Sequence, residues 1–213
     1  YAYKNKYVSA ERLGREASHI EIKKCEEPIG KQDHYIAAFG GFNFIQFNAD
    51  GSVNVEPLIF KRETKEILKN NLLLFYTGIT RSASEILKKQ TDGIITSSRK
   101  RKTLEAMVGL VYELKDELQN NRLDAFGEIL HRNWLLKKEL SSDISNFQID
   151  TWYNKALKNG AAGGKLLGAG GGGFFLFYAP KEKHHRIVAA LKDLKQVPFN
   201  FDKEGSKIIF VHH

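Results

Sequence analysis

The fold turns on one stretch, Lys165-Leu-Leu-Gly168-Ala-Gly-Gly-Gly-Gly173-Phe-Phe-Leu-Phe-Tyr178, in which a glycine loop separates two short apolar segments. Eight of the chain's 18 glycines lie between Gly160 and Gly173. Such a run costs conformational entropy on folding, so packing alone is a weak motive for it. Glycines allow close backbone approach, commonly to an anion held by N–H groups. Gly168, Gly170 and Gly173 formally satisfy G-x-G-x-x-G, but that fingerprint needs a helix straight after the loop. Phe174–Tyr178 reads as a strand, which removes the dinucleotide reading. A P-loop fails as well, because Gly164-Lys165 is followed by Leu166 where a Mg²⁺-binding hydroxyl is required. The plain alternative is a glycine hairpin joining two core strands.

Working outward, Lys165–Leu167 is the strand before the loop. Pro180 then starts a helix carrying Ile187, Val188, Leu191 and Leu194, and Lys207–Val211 is predicted as a closing strand. Upstream, Ile149–Asn159 is a helix. So are two longer segments, one placing Leu104, Met107, Val108, Val111, Leu114 and Leu118 on a face and the other Leu123, Phe126, Leu130 and Trp134. Leu72–Tyr76 is a short apolar strand after a polar helix over Lys61–Asn70. Nearer the start, Ser9 is placed to N-cap a helix running to about Ile22, and Gly30–Phe39 is a short helix stopped by Gly40-Gly41. Strands from Phe42 through Phe47 and over Val53–Ile59 flank the turn Asn48–Gly51. Interspersed helices and hairpins predict an α+β fold.

The chain has 213 residues, 42% of them hydrophobic, which is enough for a core and excludes wholesale disorder. One cysteine, Cys25, excludes a disulfide framework and a multi-thiolate zinc site. Apolar runs are too short to span a bilayer and no signal peptide opens the chain. A soluble protein of a reducing compartment is expected, with no membrane partner. The formal net charge of +8 favours polyanionic partners. A noncatalytic nucleic-acid-binding module would use the run Arg99–Lys102, but no recognition-helix or RNA-binding aromatic signature accompanies it. The run stands at a helix start, where cations do not complement the dipole, and a solvated loop is its plainer reading. The opening Tyr1–Tyr7 has no initiator Met and reads as the remainder of something longer. His212 and His213 are as consistent with a tag stub as with native sequence.

Lys165–Phe174, with a strand on either side, resembles the third motif of the GHMP small-molecule kinases. Glu27-Pro-Ile-Gly-Lys-Gln-Asp33-His-Tyr-Ile-Ala-Ala-Phe-Gly-Gly-Phe-Asn43 resembles their D-glycero-D-manno-heptose 7-phosphate kinase branch. Thr77-Gly-Ile-Thr-Arg81-Ser-Ala83 and His131-Arg-Asn-Trp-Leu-Leu-Lys137 fit the same branch. The resemblance runs from Tyr1 to the final strand. It implies an ATP-dependent kinase acting on the anomeric hydroxyl of a heptose 7-phosphate, with fucokinase or another sugar 1-kinase as the nearest alternative. It also implies ATP and Mg²⁺, a small-molecule sugar phosphate, no nucleic acid and a cytoplasmic setting, and it sets no oligomeric state. Residues 1–58 would be the remainder of a ribosomal-protein-like N-terminal domain and 59–213 a ferredoxin-like C-terminal domain, with substrates meeting between them. The family's P-x-x-G-L-G-S-S phosphate loop precedes such a region and is not present, so these 213 residues alone are expected to lack turnover.

By the resemblance, Asp33 matches the catalytic base. Its place in the first turns of a helix holds it ionised, although an exposed aspartate that merely helps the helix would sit there too. The usual neighbour of this Asp is Gln, and here it is His34. Glu21, twelve residues earlier, matches a Mg²⁺ ligand, and a solvated helix residue would look the same. Thr80, Arg81 and Ser82 follow a strand end and precede a helix, an arrangement suited to anions, and they are candidates for holding the sugar or its 7-phosphate. The bland alternative is an N-capping Thr80 beside a surface Arg81. Lys137 is a weaker substrate-binding candidate, as is His131. Gly168, Gly170, Gly171, Gly172 and Gly173 would support the nucleotide-phosphate side.

Overall fold

In the computed structural model, which describes residues 1–4 and 6–207, the chain divides into two compact units. One holds residues 1–59 together with the tail from Phe201, and the other holds residues 60–200.

In the first unit Ser9 caps α1 (Ala10–His19), its Oγ accepting from Arg12 N at 3.2 Å. The helical path does not stop near Ile22. It widens into a five-residue π turn, Ile20–Lys24. Helix α2 (Gln32–Phe39) packs on α1 where Gly14 faces the buried Tyr35 ring, and it ends at Gly40. Strands β1 (Asn43–Phe47) and β2 (Val53–Pro57) pair antiparallel, Phe47 opposite Val53. The tail binds the same unit: Ser206 N donates to Ala37 O at 2.9 Å, and Phe201 lies edge-on to Phe42. Apart from Lys207, the predicted closing strand lies outside the described residues, as do His212 and His213.

In the second unit, α3 (Arg62–Asn70) leads into β3 (Leu72–Tyr76), and α4 (Ala83–Thr96), α5 (Ser98–Gln119), α6 (Phe126–Leu140) and α7 (Phe147–Lys158) follow. Then come β4 (Gly163–Leu166), β5 (Phe174–Tyr178), α8 (His184–Ala190) and a two-residue β6 (Lys195–Gln196). The sheet is antiparallel in the order β4-β5-β3-β6. Numbered within the unit this is 2-3-1-4, the ferredoxin-like β-α-β-β-α-β arrangement, with extra helices inserted in its first crossover. Trp134, Leu140, Ile144, Ile149, Phe175 and Phe177 are fully buried against this sheet. Each contributes about 1.5–3 kcal/mol by burial. Among the described residues no helix is long and apolar enough to cross a membrane.

Two local expectations need correction. Helix α5 turns Thr103, Leu110 and Leu118 inward with Met107 half-buried, while Leu104, Val108 and Val111 are exposed. The basic run is not a loop but the first turns of α5. There Arg101 Nη1 donates to the terminal carbonyls of α4, Ile95 O at 2.8 Å and Ile94 O at 3.3 Å. A cation is favourable at that helix C-terminus.

Candidate functional site

Each unit carries part of the predicted chemistry. In the second, the loop Gly168–Gly173 leaves β4 and returns as β5. Its glycines have packing reasons that the sequence hides. A Cβ on Gly172 would lie 2.5 Å from Ile79 O, and one on Gly170 would lie 2.8 Å from Ile144 Cα. Some loop donors are committed internally, Gly171 N to Ile144 O at 2.9 Å and Gly173 N to Ile79 O at 3.0 Å. The N–H groups of Gly168 and Gly170 have no hydrogen-bond acceptor among the described residues. Gly168 has a positive φ of 71° and open space beside its Cα.

Against Gly171 lies a pocket of about 290 Å³, walled by Arg81, Ser82 and Lys89 on one side and Asp143 and Asn146 on the other. The structure thus brings Arg81 and Ser82 to the glycine loop. Thr80 is exposed and does not line the pocket. Nor is Thr80 the helix cap: Ser82 caps α4, its Oγ accepting from Glu85 N at 3.5 Å. Arg81 has no ion-pair partner among the described residues. Lys89 is held by Asp143 at 2.7 Å, and that hydrogen bond and charge raise its pKa.

At the other end of the loop, Lys137 Nζ on α6 donates to Gly168 O. Burial, and then the charge of Lys165, bring Lys137 down to about 8. Lys165 on β4 is also lowered by burial, and its Nζ donates to Asn133 Oδ1 at 2.7 Å. Lys165 and Asn133 were not singled out in sequence; the signal was the lysine opening the glycine motif. Helix α6 approaches β4 closely because both carry glycine at the contact, where a Cβ on Gly163 would overlap Gly127 O at 1.8 Å. His131 is spent on the core, with its Nδ1 2.9 Å from the Tyr153 hydroxyl.

In the first unit, Asp33 lies exposed in the first turn of α2. Lys31 does not turn to it; its Nζ reaches Gly51 O at 3.2 Å. Glu21 sits on the π turn, a helix irregularity frequent at functional sites, and its Oε2 is 2.6 Å from His34 Nε2. The His34 side chain is only 9% exposed and its Nδ1 is buried without a partner among the described residues. No cluster of three or more His, Cys, Asp or Glu suited to a metal ion occurs among the described residues. One half-exposed carboxylate nevertheless fits Mg²⁺, which commonly takes one or two protein carboxylates and completes its shell with water and substrate phosphates.

A ferredoxin-like domain with a glycine loop between its second and third strands defines a class, and residues 114–195 match the family GHMP kinases C terminal. That stretch is similar to the C-terminal domain of the GHMP kinases. The chain is 35% identical over 197 residues to the D-glycero-alpha-D-manno-heptose 7-phosphate kinase of Campylobacter jejuni. That match covers 92% of this chain and 58% of the relative, so the chain spans little more than half the relative's length. The crystal structure of a D-glycero-D-manno-heptose 1-phosphate kinase from Bacteroides thetaiotaomicron superposes with a TM-score of 0.68 at 26% identity, over 98% of this chain and 59% of that one. The L. major mevalonate kinase, solved with R-mevalonate, shares the fold at 18% identity and a TM-score of 0.68, over 89% of this chain and 58% of that one.

Proposed function

We propose that this chain serves an ATP-dependent sugar kinase that phosphorylates the anomeric hydroxyl of D-glycero-D-manno-heptose 7-phosphate in the cytoplasm, for nucleotide-heptose synthesis. The observation that carries it is the 35% identity to a heptose 7-phosphate kinase across 92% of the chain. The pocket joining Arg81 and Ser82 to Gly171 supports it, since a guanidinium beside a helix N-terminus suits a sugar phosphate.

In this reading Arg81, with Ser82 and Thr80 nearby, holds the phosphate already on the sugar. Lys137 helps bind substrate, and Gly168–Gly173 support the nucleotide phosphates. Asp33 accepts the proton of the attacking hydroxyl. Glu21 would hold Mg²⁺, which when bound offsets phosphate charge. Phosphoryl transfer asks the protein chiefly for positioning and charge stabilisation, and these groups supply both.

The test is to incubate the complete protein with ATP and the heptose 7-phosphate and follow ³¹P spectra. A new resonance of an anomeric phosphate, matched by ADP, is the expected result. Transfer to fucose but not to the heptose phosphate would replace the proposed acceptor, and no transfer to any sugar would remove the kinase reading.

A further inference from the structure

Lys137 and Lys165 are two charged groups of the second unit that are drawn out of water onto neutral partners. They come from neighbouring elements, α6 and β4, and lie near enough that the charge of Lys165 acts on Lys137. Both are half-buried, yet neither meets a carboxylate among the described residues. Lys137 bonds the neutral Gly168 O and Lys165 the neutral Asn133 Oδ1. The neighbouring Lys138 shows the ordinary solution, pairing with Asp150 at 3.0 Å. Withdrawing an ammonium from water without a counter-charge is unfavourable, and placing a second beside it adds repulsion. A purely structural pair at these positions would be better served by methionine or glutamine.

Two unneutralised ammonium groups therefore stand at the start of the glycine loop, where the Gly168 and Gly170 N–H groups lack acceptors among the described residues and Gly168 faces open space. We propose that Lys137, Lys165 and the Gly168 end of the loop form a phosphate-binding subsite, distinct from the Arg81 pocket. Neither lysine nor Gly168 lines that pocket. The ammonium groups supply charge and the loop N–H groups supply direction, while Asn133 holds Lys165 in place through its oxygen. That the anion is a phosphate rests on the kinase reading above; that it is an anion rests on the lysines. The phosphate belongs either to the sugar acceptor or to the nucleotide donor.

The test begins with the 213-residue chain carrying ¹⁵N-labelled lysine, titrated with inorganic phosphate at pH 6.5, where Lys137 is charged. The Nζ signals of Lys137 and Lys165 are expected to shift saturably, and Lys165→Met should abolish the Lys137 response while Arg81→Ala leaves it intact. Shifts no larger than those of surface lysines, or equal shifts with sodium chloride at matched ionic strength, overturn the subsite. Should Lys165→Met fold poorly, Lys137→Met read through the Lys165 signal makes the same measurement. In the complete protein Lys137→Met then identifies the source. About a tenfold or greater rise in KM for the sugar phosphate alone assigns the acceptor, and the same rise for ATP alone assigns the donor. Saturable phosphate binding in a protein without kinase turnover would support the subsite and remove the kinase reading, so the two failures are distinct.

Discussion

His34 Nε2 lies 2.6 Å from Glu21 Oε2, while the other ring nitrogen of His34 is buried without a partner among the described residues. The imidazole therefore acts on the carboxylate from one side only. It fixes Oε2 and leaves Oε1 for another ligand, which for the proposed role of Glu21 is Mg²⁺. Groups that orient a metal-binding carboxylate typically contribute about 10- to 100-fold to metal affinity. His34→Ala should weaken Mn²⁺ binding to the complete protein by that order, read by electron paramagnetic resonance of the free ion. His34→Gln keeps an N–H donor on a shorter side chain and should recover part of the loss. Equal affinities in all three proteins would separate His34 from any metal at Glu21.

Arg81 lines the pocket, which Glu85 and Asp143 also line, and it makes no ion pair among the described residues, Asp143 being taken by Lys89; the sugar phosphate is its proposed partner. Arg81→Ala in the complete protein should raise KM for the sugar phosphate by about 10- to 100-fold, the worth of a charge-assisted bidentate contact. KM for ATP should change far less. Steady-state kinetics with each substrate varied in turn decides the matter, and parallel changes in both would take Arg81 out of the sugar-phosphate site.

The glycine loop makes a prediction about stability. A Cβ at Gly172 would meet Ile79 O at 2.5 Å, a backbone atom that cannot swing aside, whereas a Cβ at Gly168 meets nothing within 4 Å. Gly172→Ala should therefore destabilise by overpacking, about 1–3 kcal/mol. Gly168→Ala should cost only the strain of its φ of +71°, about 1–2 kcal/mol. Thermal unfolding should rank Gly172→Ala at the lower Tm, and the reverse order would mean that the backbone at Ile79 yields.

Local chemistry made much of this fold legible: Ser9 before an amphipathic run, Gly40 after α2, and Phe174–Tyr178 too apolar and short for anything but a strand. What stayed hidden depended on contacts between distant segments. Helix α5 carries two overlapping apolar stripes, and only the packing of α6 shows that Leu110 and Leu118 face inward while Val108 does not. The loop glycines looked like an anion cradle because Ile79 and Ile144, which crowd them, are remote in sequence. Lys137 and Lys165 stand 28 residues apart and meet only because Gly163 lets α6 lie close on β4. Strand β6 has two residues, too few to carry a pattern.

Lys137 gives a pH dependence with a definite sign. Its pKa is lowered from 10.5 to about 8, first by burial and then by the charge of Lys165 on the adjoining strand. Between about pH 8 and 10.5 the unfolded chain thus holds more protons than the folded one. This group's contribution to stability rises with pH through that window and is least favourable below pH 8, where both states are charged. Lys137→Met removes the penalty, so it should stabilise the chain most at neutral pH, with the gain shrinking towards pH 10 as the native lysine loses its proton. Urea unfolding of both proteins at several pH values measures the difference. A constant gap across the range would show that Lys137 does not titrate early.

Asp33 sits exposed at the start of α2. If it takes the proton as the sugar hydroxyl attacks the γ-phosphate, Asp33→Asn preserves shape and most hydrogen bonding but removes the base. General-base assistance is worth about 10²–10⁴-fold, so kcat should fall by that order with both substrates still bound. The loss should appear equally in kcat and kcat/KM, as for an interaction made only in the transition state. A purely electrostatic role, such as orienting the sugar or a nearby cation, would instead give a smaller fall in kcat together with a changed KM. A loose transition state requires little early deprotonation, which makes that second pattern a real competitor. Kinetics of Asp33→Asn in the complete protein, with folding checked by thermal unfolding, separates the two. A well-folded variant keeping more than about a tenth of the native kcat lies outside the general-base range and excludes Asp33 as the essential base.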